Sequence, residues 1–191
     1  MSANGDARRP LLFLDIDGPL IPFGAPPPHR YPTYPTHGTR GTHEANPLLA
    51  RVDPAHGARL AALPCDLVWA TTWAEEANEC LAPLLGLPPL PLVDWPEPSA
   101  TDGQDGQDDR DERDDQDGRD ARAGLHWKTR TLVEAAAGRP FAWVDDELTG
   151  TDRTWVAAHH PGHALLHRVD ARFGLTDADY AALDAWLRRP H

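Results

Sequence analysis

Short apolar runs and amphipathic stretches take turns along most of this chain. Five runs read as strands: Leu11–Asp15 (LLFLD), Asp66–Thr71 (DLVWAT), Pro91–Asp94, Phe141–Asp145 (FAWVD) and Ala164–Val169. Their apolar residues are consecutive rather than alternating, as in strands covered on both faces. Between them lie helical patterns at Pro54–Leu63, Trp73–Leu85, Trp127–Ala137, Asp152–His159 and Asp177–Arg188. The second would place Trp73, Ala77, Cys80, Leu81, Leu84 and Leu85 on one face. Thr176 suits the N-cap of the last. Strands alternating with helices predict an α/β fold: a doubly wound, Rossmann-like parallel sheet of about five strands with helices on both faces.

Two segments fit neither period. Residues 22–50, rich in Pro, Gly, His and Thr, read as a cap-like insertion after the first strand, lying over one end of the sheet; inserts of that length often gate a site. Residues 97–123 are almost devoid of apolar side chains, with ten acidic residues against three arginines between Thr101 and Asp120. Such a stretch cannot offset its ordering entropy by burial and reads as a disordered acidic loop. It lacks the closing Glu and fixed Gly of a calcium loop, so a solvated tether is the better reading. Much of the net charge of −12 is concentrated there. The acidic balance therefore says little against a nucleic-acid partner for the rest of the chain.

A length of 191 residues at 40% hydrophobic composition suits one domain with one core. No run approaches the roughly 18–20 apolar residues of a membrane span. MSANGDARRP offers no apolar leader, so the expected compartment is the cytoplasm, with Cys65 and Cys80 reduced and non-catalytic. No obligate protein partner is evident.

Three predicted strands end in polar residues of one kind: Asp15-Ile16-Asp17-Gly18, Ala70-Thr71-Thr72 and Val144-Asp145-Asp146. Ligands of open α/β sheets bind beyond the carboxyl ends of the strands, near the switch point. Clustering carboxylates there costs charge repulsion unless a cation neutralises it. Carboxylates without Cys or His ligands call for a hard ion, and Mg²⁺ is favoured.

Asp15-x-Asp17-Gly18, Thr71, Lys128 and Asp145-Asp146 together resemble, in order, the four motifs of the haloacid dehalogenase-like (HAD) hydrolase superfamily. More narrowly, WATTW, NECLAPLLGLP, HWKT and FAWVDDE look like the HAD domain of multidomain RNA-repair proteins. The resemblance implies a Mg²⁺-dependent phosphohydrolase. Asp15 would be the nucleophile, forming an aspartyl-phosphate. Asp17 would protonate the leaving oxygen and then activate water. Thr71 would bond the phosphoryl oxygens, and Lys128 would hold Asp15 ionised, with Arg130 a nearby competitor for that cationic role. Asp15, the Asp17 backbone carbonyl, Asp145 and Asp146 would hold the metal, the direct ligand of the last pair left open. Gly18, Thr72 and Trp73 would line the substrate site, Gly18 by allowing a sharp turn.

The substrate would be a phosphorylated small molecule or a nucleic-acid end; a polynucleotide 3′-phosphatase is the narrower alternative. A non-catalytic phosphate- or partner-binding module is the alternative from another class. His159, His160, His163 and His167 lack the spacing of a zinc site and read as surface residues. Of the seven tryptophans, Trp73 and Trp127 adjoin motif residues and could wall the site. His29, Arg30, His37, Arg40 and His43 in the insertion could contact a phosphate.

Overall fold

Consecutive apolar residues need a cover on both sides, and the chain supplies it by winding helices onto both faces of a parallel sheet. The computed structural model describes residues 8–36, 46–96, 120 and 122–190. Strands β1 (Leu11–Leu14), β2 (Asp66–Trp69), β3 (Phe141–Asp145) and β4 (Ala164–Arg168) form a sheet of order β2-β1-β3-β4. Every neighbouring pair is parallel, with Leu14 level with both Trp69 and Val144.

Alternation along the strands divides the core in two. Leu12 and Leu14 of β1 and Ala142 and Val144 of β3 face one cluster. It is closed by Leu60 of α1 (Ala55–Ala61), Leu85 of α2 (Ala82–Leu85), and Leu183 and Leu187 of α5 (Asp177–Leu187). Leu11, Phe13, Phe141 and Trp143 face the other cluster, with Leu132 of α3 (Thr129–Ala136) and Val156 of α4 (Gly150–His159). The predicted doubly wound architecture is therefore present. Thr176 caps α5, its hydroxyl donating to Asp179 Oδ2 at 2.6 Å.

Two elements differ from their sequence patterns for identifiable reasons. Pro91–Asp94 runs along the outer edge of β2 but pairs only through a bridge between Trp69 and Leu92. Pro91 lacks the amide proton that a longer ladder needs there. Trp73–Leu85 is not one α-helix: residues 72–75 form turns, Ala77–Leu81 is π-helical, and the α-helical turn of α2 follows. Pro83 cannot donate to the preceding turn. Asn78 is also drawn off the helix axis, its side chain bonding both the N–H and the C=O of Leu90 and accepting from the Trp69 indole. The buried positions still match the predicted apolar face, with Ala77, Cys80, Leu81 and Leu85 in the core and Trp73 and Leu84 packed against it.

The described part of the predicted insertion is irregular until the 3-10 turn Pro47–Arg51. It is tied to the sheet end by Phe23 N–H donating to Ala171 O at 2.8 Å, and its two ends are joined by Arg51 Nη1 donating to Pro22 O at 2.9 Å. His29 and Arg30 are exposed, while His37, Arg40 and His43 lie outside the described residues. So does most of the acidic loop predicted at 97–123.

Candidate active site

β1 lies between β2 and β3, so the chain leaves it to one side and later returns on the other. The crevice that opens at such a reversal is the binding position of doubly wound sheets. Three backbone ends meet there. Asp15 N–H donates to Val144 O at 3.0 Å, and Ala70 N–H donates to Leu14 O at 2.9 Å. These bonds bring Asp15, Thr71 and the Asp145-Asp146 pair to one rim. Lys128, at the N-terminal end of α3, enters from the side: its Nζ lies 2.8 Å from Asp15 Oδ2 and 2.9 Å from Asp145 Oδ2. The other candidate cation, Arg130, pairs instead with Asp120.

Asp15, Asp145 and Asp146 bring carboxylate oxygens within 4.8 Å of one another. Burial pushes the Asp15 carboxyl up to about 7; Lys128 opposes this and Asp145 adds to it. Asp146 is also raised, by burial and then by Asp145. Burial pulls the Lys128 ammonium down, but Asp15 and Asp145 more than reverse that and leave it above its ordinary value. One buried ammonium thus faces three carboxylates. The remaining negative charge and the all-oxygen donor set fit a hard divalent cation, Mg²⁺ foremost.

Asp17 and Gly18 form a tight turn beyond β1, in which Gly18 N–H donates to Ile21 O at 3.1 Å. Gly18 has φ +85°, and a Cβ there would lie 2.5 Å from Asp146 Oδ1. Glycine is needed on both counts, for the left-handed backbone and for the closeness of the acidic pair. The Asp17 carboxylate stands apart from the three converging carboxylates, accepting from Trp73 Nε1 at 2.9 Å. Thr71 is buried, its Oγ1 accepting from Trp73 N–H at 3.4 Å, while Thr72 is exposed.

Tryptophans buttress Asp17, Thr71, Asp145 and Lys128 at this rim. Besides Trp73 on Asp17, Trp95 Nε1 donates to Thr71 O at 2.8 Å and Trp143 Nε1 to Asp145 Oδ2 at 3.2 Å. The Trp127 ring lies 5.6 Å from Lys128 Nζ. Residue patterns could have revealed Trp143, which is two residues before Asp145 in a strand and so shares its face. Nothing local pointed to Trp95.

Asp152 was also missed, entering only as the first residue of the predicted helix Asp152–His159. It is fully buried and accepts from His126 N (2.7 Å), Thr129 Oγ1 (2.8 Å), Thr149 N (2.8 Å) and Thr149 Oγ1 (2.6 Å). It therefore clamps the start of α4 to the residues on either side of Lys128. Burial pushes the Asp152 carboxyl up, but the bonds from Thr149, His126 and Thr129 hold it below its usual 3.8. A carboxyl lowered on folding contributes stability above its unfolded value, and that stability is lost as the pH falls through the folded value. Asp152→Asn is expected to cost roughly 2–3 kcal/mol at neutral pH, since a buried acceptor of charge-assisted bonds is replaced by a neutral group. The deficit should shrink below about pH 4, where the unfolded wild-type carboxyl takes up its proton. Urea melts across pH would show this; a deficit independent of pH would refute it.

The histidines singled out above are dispersed. His159 stacks on Trp155, His160 is buried against Arg139 O, and His167 pairs with Asp179. Reading them all as surface residues thus fails for His160, whose ring fills a slot beside Phe141. Cys65 and Cys80 are buried and unpaired, burial pushing the Cys65 thiol up to about 12, which suits an inert core residue.

A parallel sheet whose switch point gathers Asp15, Thr71, Lys128 and Asp145-Asp146 has the architecture of a HAD-type hydrolase. Residues 11–180 match the family model described as the HAD domain in Swiss Army Knife RNA repair proteins, and the chain belongs to that family. No curated protein and no solved structure matches it.

Proposed function

We propose that this chain is a Mg²⁺-dependent phosphomonoesterase working through an aspartyl-phosphate on Asp15. The observation that carries this reading is the convergence of Asp15, Asp145 and Asp146 within 4.8 Å around the Lys128 ammonium at the sheet's switch point. Asp15, Asp145 and Asp146 would hold the metal, together with the Asp17 carbonyl. When bound, Mg²⁺ would offset the charge of the phosphoryl oxygens and leave the nucleophile ionised.

The chain's own groups do the rest. Asp15 attacks phosphorus, an O–P bond forms, and the ester P–O bond breaks with its electron pair on the leaving oxygen. Asp17 gives that oxygen its proton, so that the alcohol departs and Asp17 is left as a carboxylate. Water then attacks the aspartyl-phosphate and gives a proton back to Asp17. The bond to Asp15 breaks, releasing inorganic phosphate. Thr71 donates to a phosphoryl oxygen, and Lys128 neutralises charge in flight.

Phosphate release from a panel of phosphomonoesters should appear with Mg²⁺ and vanish with a chelator. A wild type inert across that panel, yet able to bind phosphorylated ligands, would favour a non-catalytic module.

A second, narrower reading is a phosphatase acting on nucleic-acid 3′ ends. The family's description favours it, as does one feature of the site: Trp127 is 51% exposed directly beside buried Lys128. A base stacked on an indole contributes about 1–3 kcal/mol. Trp127→Ala should therefore raise KM for a 3′-phosphorylated oligonucleotide roughly tenfold, with a much smaller change for glycerol phosphate. Equal changes on both substrates would count against the nucleic-acid reading.

A further inference from the structure

The Asp17 side chain sits on a turn beyond the strand and is only partly buried, so nothing in the strand itself fixes its carboxylate. Among the described residues, one hydrogen bond reaches that carboxylate: the indole N–H of Trp73, at 2.9 Å on Oδ2. Trp73 is itself well anchored. Its ring packs against the core cluster on the α1 and α2 side, and its backbone N–H is tied to Thr71 Oγ1. The backbone turns sharply just after it, with Ala74 at φ +46°. A rigid donor from the second motif therefore grips the acid of the first.

We infer that Trp73 is the positioning residue for Asp17: by engaging Oδ2 it leaves Oδ1 as the oxygen that carries the proton to and from the reacting group. The inference rests on the phosphatase reading above, in which Asp17 protonates the leaving oxygen. A carboxyl has two chemically equivalent oxygens and two rotatable bonds. Without the indole, the proton-bearing oxygen would face the leaving group only part of the time. Misplacement of this kind is expensive, of the order of a hundredfold in rate for about 1 Å. It matters most where the leaving oxygen is poor and must be protonated as it departs.

The test is therefore a comparison of leaving groups. Trp73→Phe keeps a ring in the core and removes the N–H. Its kcat/KM on an alkyl phosphate, such as glycerol phosphate, should fall at least roughly tenfold further than its kcat/KM on p-nitrophenyl phosphate, whose phenolate leaves unaided. The alkyl-phosphate loss should lie in kcat rather than KM. Trp73→His, which restores a ring N–H, should recover part of it. Equal losses on the two substrates, or none, would overturn the inference, because a purely structural or binding role does not depend on the leaving group. If Trp73→Phe does not fold, as judged by thermal unfolding, Trp73→His must show a smaller leaving-group discrimination than Asp17→Asn, and an equal one overturns it. Asp17→Asn separates the two levels of the argument. If it discriminates between the substrates and Trp73→Phe does not, the positioning role alone fails. If Asp17→Asn shows no discrimination either, the acid role of Asp17 fails, and the inference with it.

Discussion

Asp15→Asn should reduce Mg²⁺-dependent phosphate release by roughly a thousandfold or more, since it removes the atom to which phosphorus is transferred. The substitution is nearly isosteric, and Asp15 is held by bonds that an amide can partly keep. Ile16 N–H donates to Asp15 Oδ1 at 2.9 Å, and the backbone N–H is paired with β3. The sheet therefore has no reason to come apart, and the variant should melt close to wild type. It should also escape the charge conflict that pushes the wild-type carboxyl up to about 7 through burial and Asp145. Substrate binding should survive, so the variant can be mixed with a 3′-phosphorylated oligonucleotide or a nucleoside monophosphate to measure affinity without turnover. A residual rate within tenfold of wild type would remove Asp15 from the nucleophile's role.

Lys128→Met should damage both stability and activity. Its Nζ lies between Asp15 Oδ2 and Asp145 Oδ2, and all three residues are buried. Removing one partner of a buried ionic group leaves the others without compensation, which typically costs roughly 3–5 kcal/mol. Part of this loss will be avoided if a proton settles between the two carboxylates, as close carboxylates do. That proton would in turn suppress the nucleophile, so kcat should fall even where the variant remains folded. Added Mg²⁺ should raise the variant's unfolding midpoint, because the carboxylates that remain still present a hard-oxygen site. The measurement is a pair of thermal melts, with and without the metal, beside a rate assay. A variant as stable as wild type would show that the bridging ammonium is not holding the site together.

The candidate site residues at strand ends were legible from residue order because strand ends are local features. LLFLDID and FAWVDD each carry an apolar run that reads as a strand covered on both faces, followed at once by acids that are costly to bury without a partner. Asp15, Thr71 and Asp145-Asp146 follow from their places at strand ends, whereas Lys128, at the head of a helix, was pointed to only by the resemblance to the HAD motifs. Where tertiary contacts overrode local pattern, the residues show why. Asn78 bonded to Leu90, together with Pro83, turned a predicted helix into a π-helical segment, and Pro91 reduced a predicted strand to a single bridge.

The sequence by itself thus determined which chemical groups this protein carries and that they meet at one end of a parallel sheet. Which partner each group takes was decided only by the tertiary structure. Lys128 lies between Asp15 and Asp145 while Arg130 pairs with Asp120, Asp152 ties α4 to the flanks of Lys128, and Trp73 holds Asp17 away from the other carboxylates. The physical reason is range. Burial and strand direction are properties of a few neighbouring residues. A hydrogen bond between residues far apart in the chain depends on how whole layers pack, to within tenths of an ångström.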